Sequence, residues 1–116
     1  MRLSGRTYAV LVADGVEDLE YWVPLMRLQE EGATVVSVGS DTEPHRGKGG
    51  LKVQAQVPAS DFDPATADGL VVPGGWAPDK MRRDPHILAI VRAADARGPP
   101  IGIISPGGRV AHSPGL

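Results

Sequence analysis

Cysteine is absent from this chain. That excludes disulfides, thiolate metal sites and a cysteine nucleophile. No apolar run approaches the length needed to cross a bilayer. The first six residues, Met1 to Arg6, contain no apolar core of the signal-peptide kind, so the expected address is cytoplasmic. A basic patch is missing too. Twelve Lys and Arg stand against 14 Asp and Glu, both signs are scattered, and the formal net charge is -2. Neither a nucleic-acid surface nor a charged tail is expected from that balance. There is no internal repeat and no low-complexity tract. What remains is a 116-residue chain with 41% apolar and 22% charged residues, the mix of one globular domain.

The apolar residues fall into alternating patterns. Thr7 to Ala13 is a continuous apolar run, which predicts a strand buried on both faces. Residues 17–31 predict a helix from the spacing of Leu19, Trp22, Val23, Met26 and Leu28, with Pro24 distorting it and Gly32 stopping it. Thr34 to Val38 predicts a second strand. Leu51 to Val57 alternates apolar and polar, as an exposed strand or hairpin arm does. Residues 58–68 read as a loop or short helical turn, and Gly69 to Val72 as a buried strand. Residues 79–83 predict a short helix. A clearer one follows, with Asp84 as N-cap, Pro85 in the first turn and Gly98 as its stop. Ile101 to Ile104 is the last strand. Strands alternating with helices give an α/β class with a parallel sheet and a right-handed crossover.

In such sheets, sites form at the carboxyl ends of the strands. Three strand ends carry unusual sequence: Asp14-Gly15-Val16-Glu17-Asp18-Leu19-Glu20, Pro73-Gly74-Gly75-Trp76-Ala77-Pro78-Asp79, and Ser105-Pro106-Gly107-Gly108. The last has the layout of a nucleophile elbow, in which a strand lifts a nucleophile above the sheet and a helix opens behind it. The flanking residues have plainer readings. Glu17 and Asp18 read as first-turn acids facing the helix dipole. Glu20 sits on an otherwise apolar helix face. His45, His86 and His112 lack metal-ligand spacing and read as surface residues. Gly47-Lys48-Gly49-Gly50 has no trailing Ser or Thr and precedes a strand, so it is not a phosphate cradle.

Taken in order, these residues resemble the ThiJ/PfpI family. The acidic Glu17-Asp18-Leu19-Glu20 with Pro24 and Arg27-Leu28-Gln29-Glu30-Glu31-Gly32, the Gly47-Lys48-Gly49-Gly50 turn, the Pro-Gly-Gly-x-Ala-Pro-Asp stretch and the strand entering Ser105 carry the likeness. It implies a flavodoxin-like parallel-sheet sandwich of the class I glutamine-amidotransferase kind. A single domain would occupy residues 1–116, incomplete at its C-terminus, because the likeness stops inside the helix behind the elbow. It implies PfpI-type protease or amidase chemistry, or glyoxalase and deglycase action on reactive carbonyls, with no cofactor and no metal. Peptides or small carbonyl compounds would be the substrates. Homo-oligomers of dimer or hexamer type are expected, without membrane or nucleic-acid partners.

By position, the resemblance makes Ser105 the nucleophile and Glu20 the buried acid that shares its proton. Gly74 and Gly75 become the loop offering an oxyanion N–H, and Asp79 a group that reaches a neighbouring subunit's site. The elbow departs from the family pattern. Ser105 stands where the family has cysteine, and a hydroxyl needs an adjacent base to act. Pro106 has no backbone N–H for an oxyanion and restricts Ser105 to extended conformations. A non-catalytic binding or stress-protective module is therefore the alternative. A receiver-like module with Asp14 as phosphate acceptor is a third reading.

Overall fold

A computed structural model describes residues 3–74, 83–97 and 101–103. Its main element is a five-stranded parallel sheet. β1 (Thr7–Leu11) and β2 (Thr34–Gly39) pair along Thr7 to Leu11 against Thr34 to Val38. On the other side of β1 lies β6 (Gly69–Val72), followed by β7 (Ile101–Ile103). The long strands thus run β2-β1-β6-β7, the flavodoxin order, and the two-residue β5 (Val57–Pro58) adds outside β2. β1 is central and paired on both edges, which is why its sequence is continuously apolar: Ala9, Val10 and Leu11 are fully buried. Asp68 locks the strand starts, its carboxylate accepting the Thr7 N–H at 2.8 Å and its own N–H donating to the Thr7 carbonyl at 2.6 Å.

The crossover helix α1 (Asp18–Glu30) packs on β1 and β2. Glu17 is its N-cap, accepting the Leu19 N–H at 3.4 Å, and the helix runs unbroken past Pro24. It closes as the glycine signal predicts. Gly32 is left-handed (φ 91°), its N–H donates to Gln29, and the Ala33 N–H donates to Leu28. Those two bonds are the Schellman pattern that only a residue tolerant of positive φ supports easily.

The face that α1 buries differs from the one its spacing suggested. Tyr21 and Leu25 are buried, with Asp18 beside the first turn, while Leu19, Val23 and Met26 are exposed. The helix carries two apolar stripes, and Tyr21 wins the inner position because its hydroxyl meets Ser37 Oγ of β2 at 2.6 Å. Burial of the ring raises the Tyr21 pKa, against a smaller lowering from Ser37.

Residues 51–57, expected as an exposed strand or hairpin arm, divide between a hairpin arm and a strand of the main sheet. β4 (Lys52–Val53) pairs antiparallel with β3 (His45–Arg46), whereas β5 pairs parallel with Val38–Gly39. The inside-outside alternation holds across the break, with Val53 and Ala55 buried and Lys52, Gln54 and Gln56 exposed. The chain therefore leaves the hairpin and joins the main sheet without changing which side faces in. Two 3₁₀ turns, Ala59–Asp61 and Pro64–Thr66, lead to β6. A second helix, α2 (Pro85–Arg97), packs on those turns and on β6, burying Ile87, Ile90 and Val91. Asp84 caps it as predicted, accepting the His86 N–H at 2.8 Å. Burial alone would raise the Asp84 pKa, but hydrogen bonds from Ser40 and from the His86 and Ile87 amides bring it below the ordinary carboxylate value.

Candidate active site

Going out from β1, the chain turns one way into β2 and the other way, later, into β6. The crevice at the carboxyl ends of β1 and β6 is the switch point where such sheets place their sites. Two segments meet there. The segment after β1 leads through left-handed Gly15 (φ 83°) into α1, and the segment after β6 is Pro73-Gly74. They are joined by reciprocal bonds. The Glu17 N–H donates to the Gly74 carbonyl at 3.0 Å, and the Gly74 N–H donates to Glu20 Oε1 at 2.8 Å. Glu20 is half-buried rather than simply exposed. A carboxylate fixed on a backbone amide beside a strand end can take and return a proton in a defined direction. Of the residues the sequence put at the site, the structure brings together Glu20 and Gly74. Gly75, Asp79 and Ser105, together with the expected short helix at 79–83 and His112, lie outside the described residues.

A third segment closes on the same place. The Gly15 N–H donates to the Arg46 carbonyl at 2.9 Å, and the Lys48 N–H to the Val16 carbonyl at 2.7 Å. The turn from Gly47 to Leu51 thus lies across the start of α1. It covers Asp18, which is only 5% exposed. Asp18 is thus an acid of the first turn, as expected, but a buried one. Its Oδ2 accepts the Leu51 N–H at 3.3 Å. Helical spacing carries no sign of this, because the covering residues are about thirty positions away. The glycines at 47 and 49 are the only sequence signal.

On the other flank of β1 lies a cavity of about 150 Å³, lined in part by Asp14, Ser40, Asp41 and His45. His45, expected on the surface, is half-buried between two acids, with Nε2 2.8 Å from Asp41 Oδ1 and Nδ1 4.0 Å from Asp14 Oδ1. The hydrogen bond with His45 is the main reason the Asp41 carboxyl is held below its usual pKa. Asp14 also accepts the Arg46 N–H at 3.3 Å. These contacts tie the β3–β4 hairpin to the strand ends, and the cavity does not adjoin Glu20. No cluster of side chains fit to hold a metal occurs among the described residues.

Comparison with known proteins agrees with the parallel-sheet fold. The DJ-1/PfpI family profile matches residues 6–116. A deglycase from Thermococcus kodakarensis is 36% identical over 107 residues, which cover 92% of this chain and 64% of that protein. Among solved structures, a two-domain protein from Anabaena variabilis with DJ-1/ThiJ/PfpI-like and ferritin-like domains superposes with a TM-score of 0.88 at 36% identity, covering 90% of this chain and 31% of that one. Oxidized DJ-1 from Toxoplasma gondii superposes with a TM-score of 0.84 at 28% identity, covering 91% and 59%. The chain therefore spans less than two thirds of the length of these relatives.

Proposed function

Because the chain belongs to the DJ-1/PfpI family, we propose that it is a deglycase-type domain for small reactive carbonyl compounds, working with an altered nucleophile. The observation that carries this reading is the Gly74 N–H fixed on Glu20 at 2.8 Å, which joins two of the residues that the resemblance assigns to the site. A relative named a deglycase supports the substrate class. In the proposed reaction the Ser105 hydroxyl adds to the carbonyl carbon. Glu20 takes the hydroxyl proton and delivers it to the carbonyl oxygen, and the Gly75 amide supports the negative charge on that oxygen. Asp79 contributes from a neighbouring subunit. Neither cofactor nor metal enters the step.

Pro106 makes this a slow catalyst. Loss of one oxyanion donor costs about 100- to 1,000-fold in rate. The same proline favours a second reading, a carbonyl- or peptide-binding module without turnover. Methylglyoxal consumption by the purified chain separates the two. Activity abolished by both Glu20→Gln and Ser105→Ala supports catalysis. Rates unchanged in both variants sink it and leave the binding module.

A homo-oligomer is part of the proposal. Leu19, Val23 and Met26 are 66%, 56% and 58% exposed at helical spacing on one face of α1. An exposed apolar stripe on the outer face of a helix suits a second copy of the chain. A cytoplasmic address is likewise proposed; no helix among the described residues is long and apolar enough to cross a membrane.

A further inference from the structure

We propose that Asp18 is a positioning residue: its buried carboxyl is the post around which the Gly47–Gly50 turn closes, and that closure holds Glu20 on Gly74. The inference rests on the reading of Glu20 as the site's acid. The turn encloses one of the chain's own side chains, Asp18. A Cβ on Gly47 would overlap Asp18 Oδ1, and a Cβ on Gly49 would overlap Oδ2. Gly49 meets nothing else within 4 Å, so Asp18 alone demands glycine there. The turn is itself closed by the Gly47 N–H on the Leu51 carbonyl at 2.8 Å and the Gly50 N–H on the Gly47 carbonyl at 3.0 Å. Asp18 Oδ2 accepts the Leu51 N–H, while Oδ1 has no hydrogen-bond partner among the described residues.

A carboxyl oxygen sealed away without a donor is costly. Its retention makes sense if the carboxyl's shape and its one bond perform a task. The path to the site is short. Arg46 and Lys48 hold Gly15 and Val16 through backbone bonds, Glu17 holds the Gly74 carbonyl, and the Gly74 N–H holds Glu20. All of these bonds lie within three residues of Asp18 or of the turn that encloses it, or at Gly74 itself.

A double-mutant cycle on this chain tests the post. In the parent protein Gly49→Ala is expected to lower Tm by roughly 5 °C or more. In an Asp18→Ala background the same change is expected to cost about 1 °C or less, because the obstructing carboxyl is gone. If Gly49→Ala fails to fold with Asp18 present but folds in the Asp18→Ala protein, the post is supported. Equal losses in both backgrounds overturn it, as does failure to fold in both.

The link to the site is read from the Gly74 amide signal by NMR, which needs no activity. Asp18→Ala is expected to shift it, and Asp18→Asn, which keeps an oxygen for the Leu51 N–H, to restore it. The Val91 amide in α2 should stay in place. A Gly74 signal unmoved by Asp18→Ala, or one that moves no more than Val91, overturns the positioning role. Absence of methylglyoxal turnover together with a shifted Gly74 signal would defeat the enzymatic reading and leave the role of Asp18 standing.

Discussion

Two acids sit two positions apart on the first turn of α1, and their surroundings differ. Asp18 is sealed under a glycine turn with one oxygen unpaired, whereas Glu20 is half-buried and fixed on the Gly74 amide. Both accept a backbone N–H, Asp18 from Leu51 and Glu20 from Gly74. The difference lies in access. On the proposed readings, the carboxyl closed in by Gly47 and Gly49 organises the chain, whereas the half-buried one between the ends of β1 and β6 exchanges a proton. Position on a helix therefore does not assign an acid its role; the loops that pack on it do.

The largest effect should come from filling the sealed side. Gly47→Ala places a methyl group in the Asp18 carboxyl and within 2.9 Å of the Val16 carbonyl oxygen. A loss of about 3 kcal/mol or more is expected, visible in urea unfolding. A cost below about 1 kcal/mol would show that the enclosure is loose and that the contrast between the two acids is weaker than drawn.

Glu20→Gln is the counterpart on the open side. Glutamine keeps an oxygen for the Gly74 N–H, so stability should change by less than about 1 kcal/mol while carbonyl turnover disappears. Retained turnover would place the proton transfer elsewhere.

Between these two lies the outer stripe of α1. Val23→Lys should leave the monomer folded, because Val23 is exposed, and should shift light-scattering mass toward monomer if copies meet there. An unchanged mass places any oligomer contact on another face.

The smallest effect concerns the hairpin that carries the Gly47 turn. The Asp41 pKa is lowered in the folded chain, chiefly by His45. Its contribution is thus present above the unfolded carboxylate value, about pH 4, and is lost as pH falls through the folded value. Asp41 is largely exposed, so Asp41→Asn should cost under about 0.5 kcal/mol at pH 6 and nothing at pH 2. Thermal melts at the two pH values check the sign; a cost that grows in acid would contradict it.

Local chemistry made several of these elements legible from sequence. The continuous run at β1 could only be a strand enclosed on both sides. Gly32 could stop α1 because a helix end needs a positive φ, and Asp84-Pro85 could start α2 because a carboxylate can cap free amides. The motif order made Glu20 and Gly74 candidates before their contact was known.

Other features depend on residues far apart in the chain. Spacing alone does not tell whether the Leu19–Val23–Met26 stripe or the Tyr21–Leu25 stripe of α1 turns inward. Ser37 on β2 decides it by offering the Tyr21 hydroxyl a partner. The alternation from 51 to 57 correctly separated inward from outward residues, but not the change of partner from β3 to β2. Of the two acids beside His45, Asp41 is four residues away, and only Asp14 comes from a distant loop. By itself, the sequence determined the places of β1, β2, β6 and β7, the Gly32 stop of α1 and the Asp84 cap of α2, since each depends on neighbours within a few positions. The tertiary structure alone decided that Asp18 is buried and Glu20 is reachable, because that depends on a turn some thirty residues downstream closing over one acid and not the other.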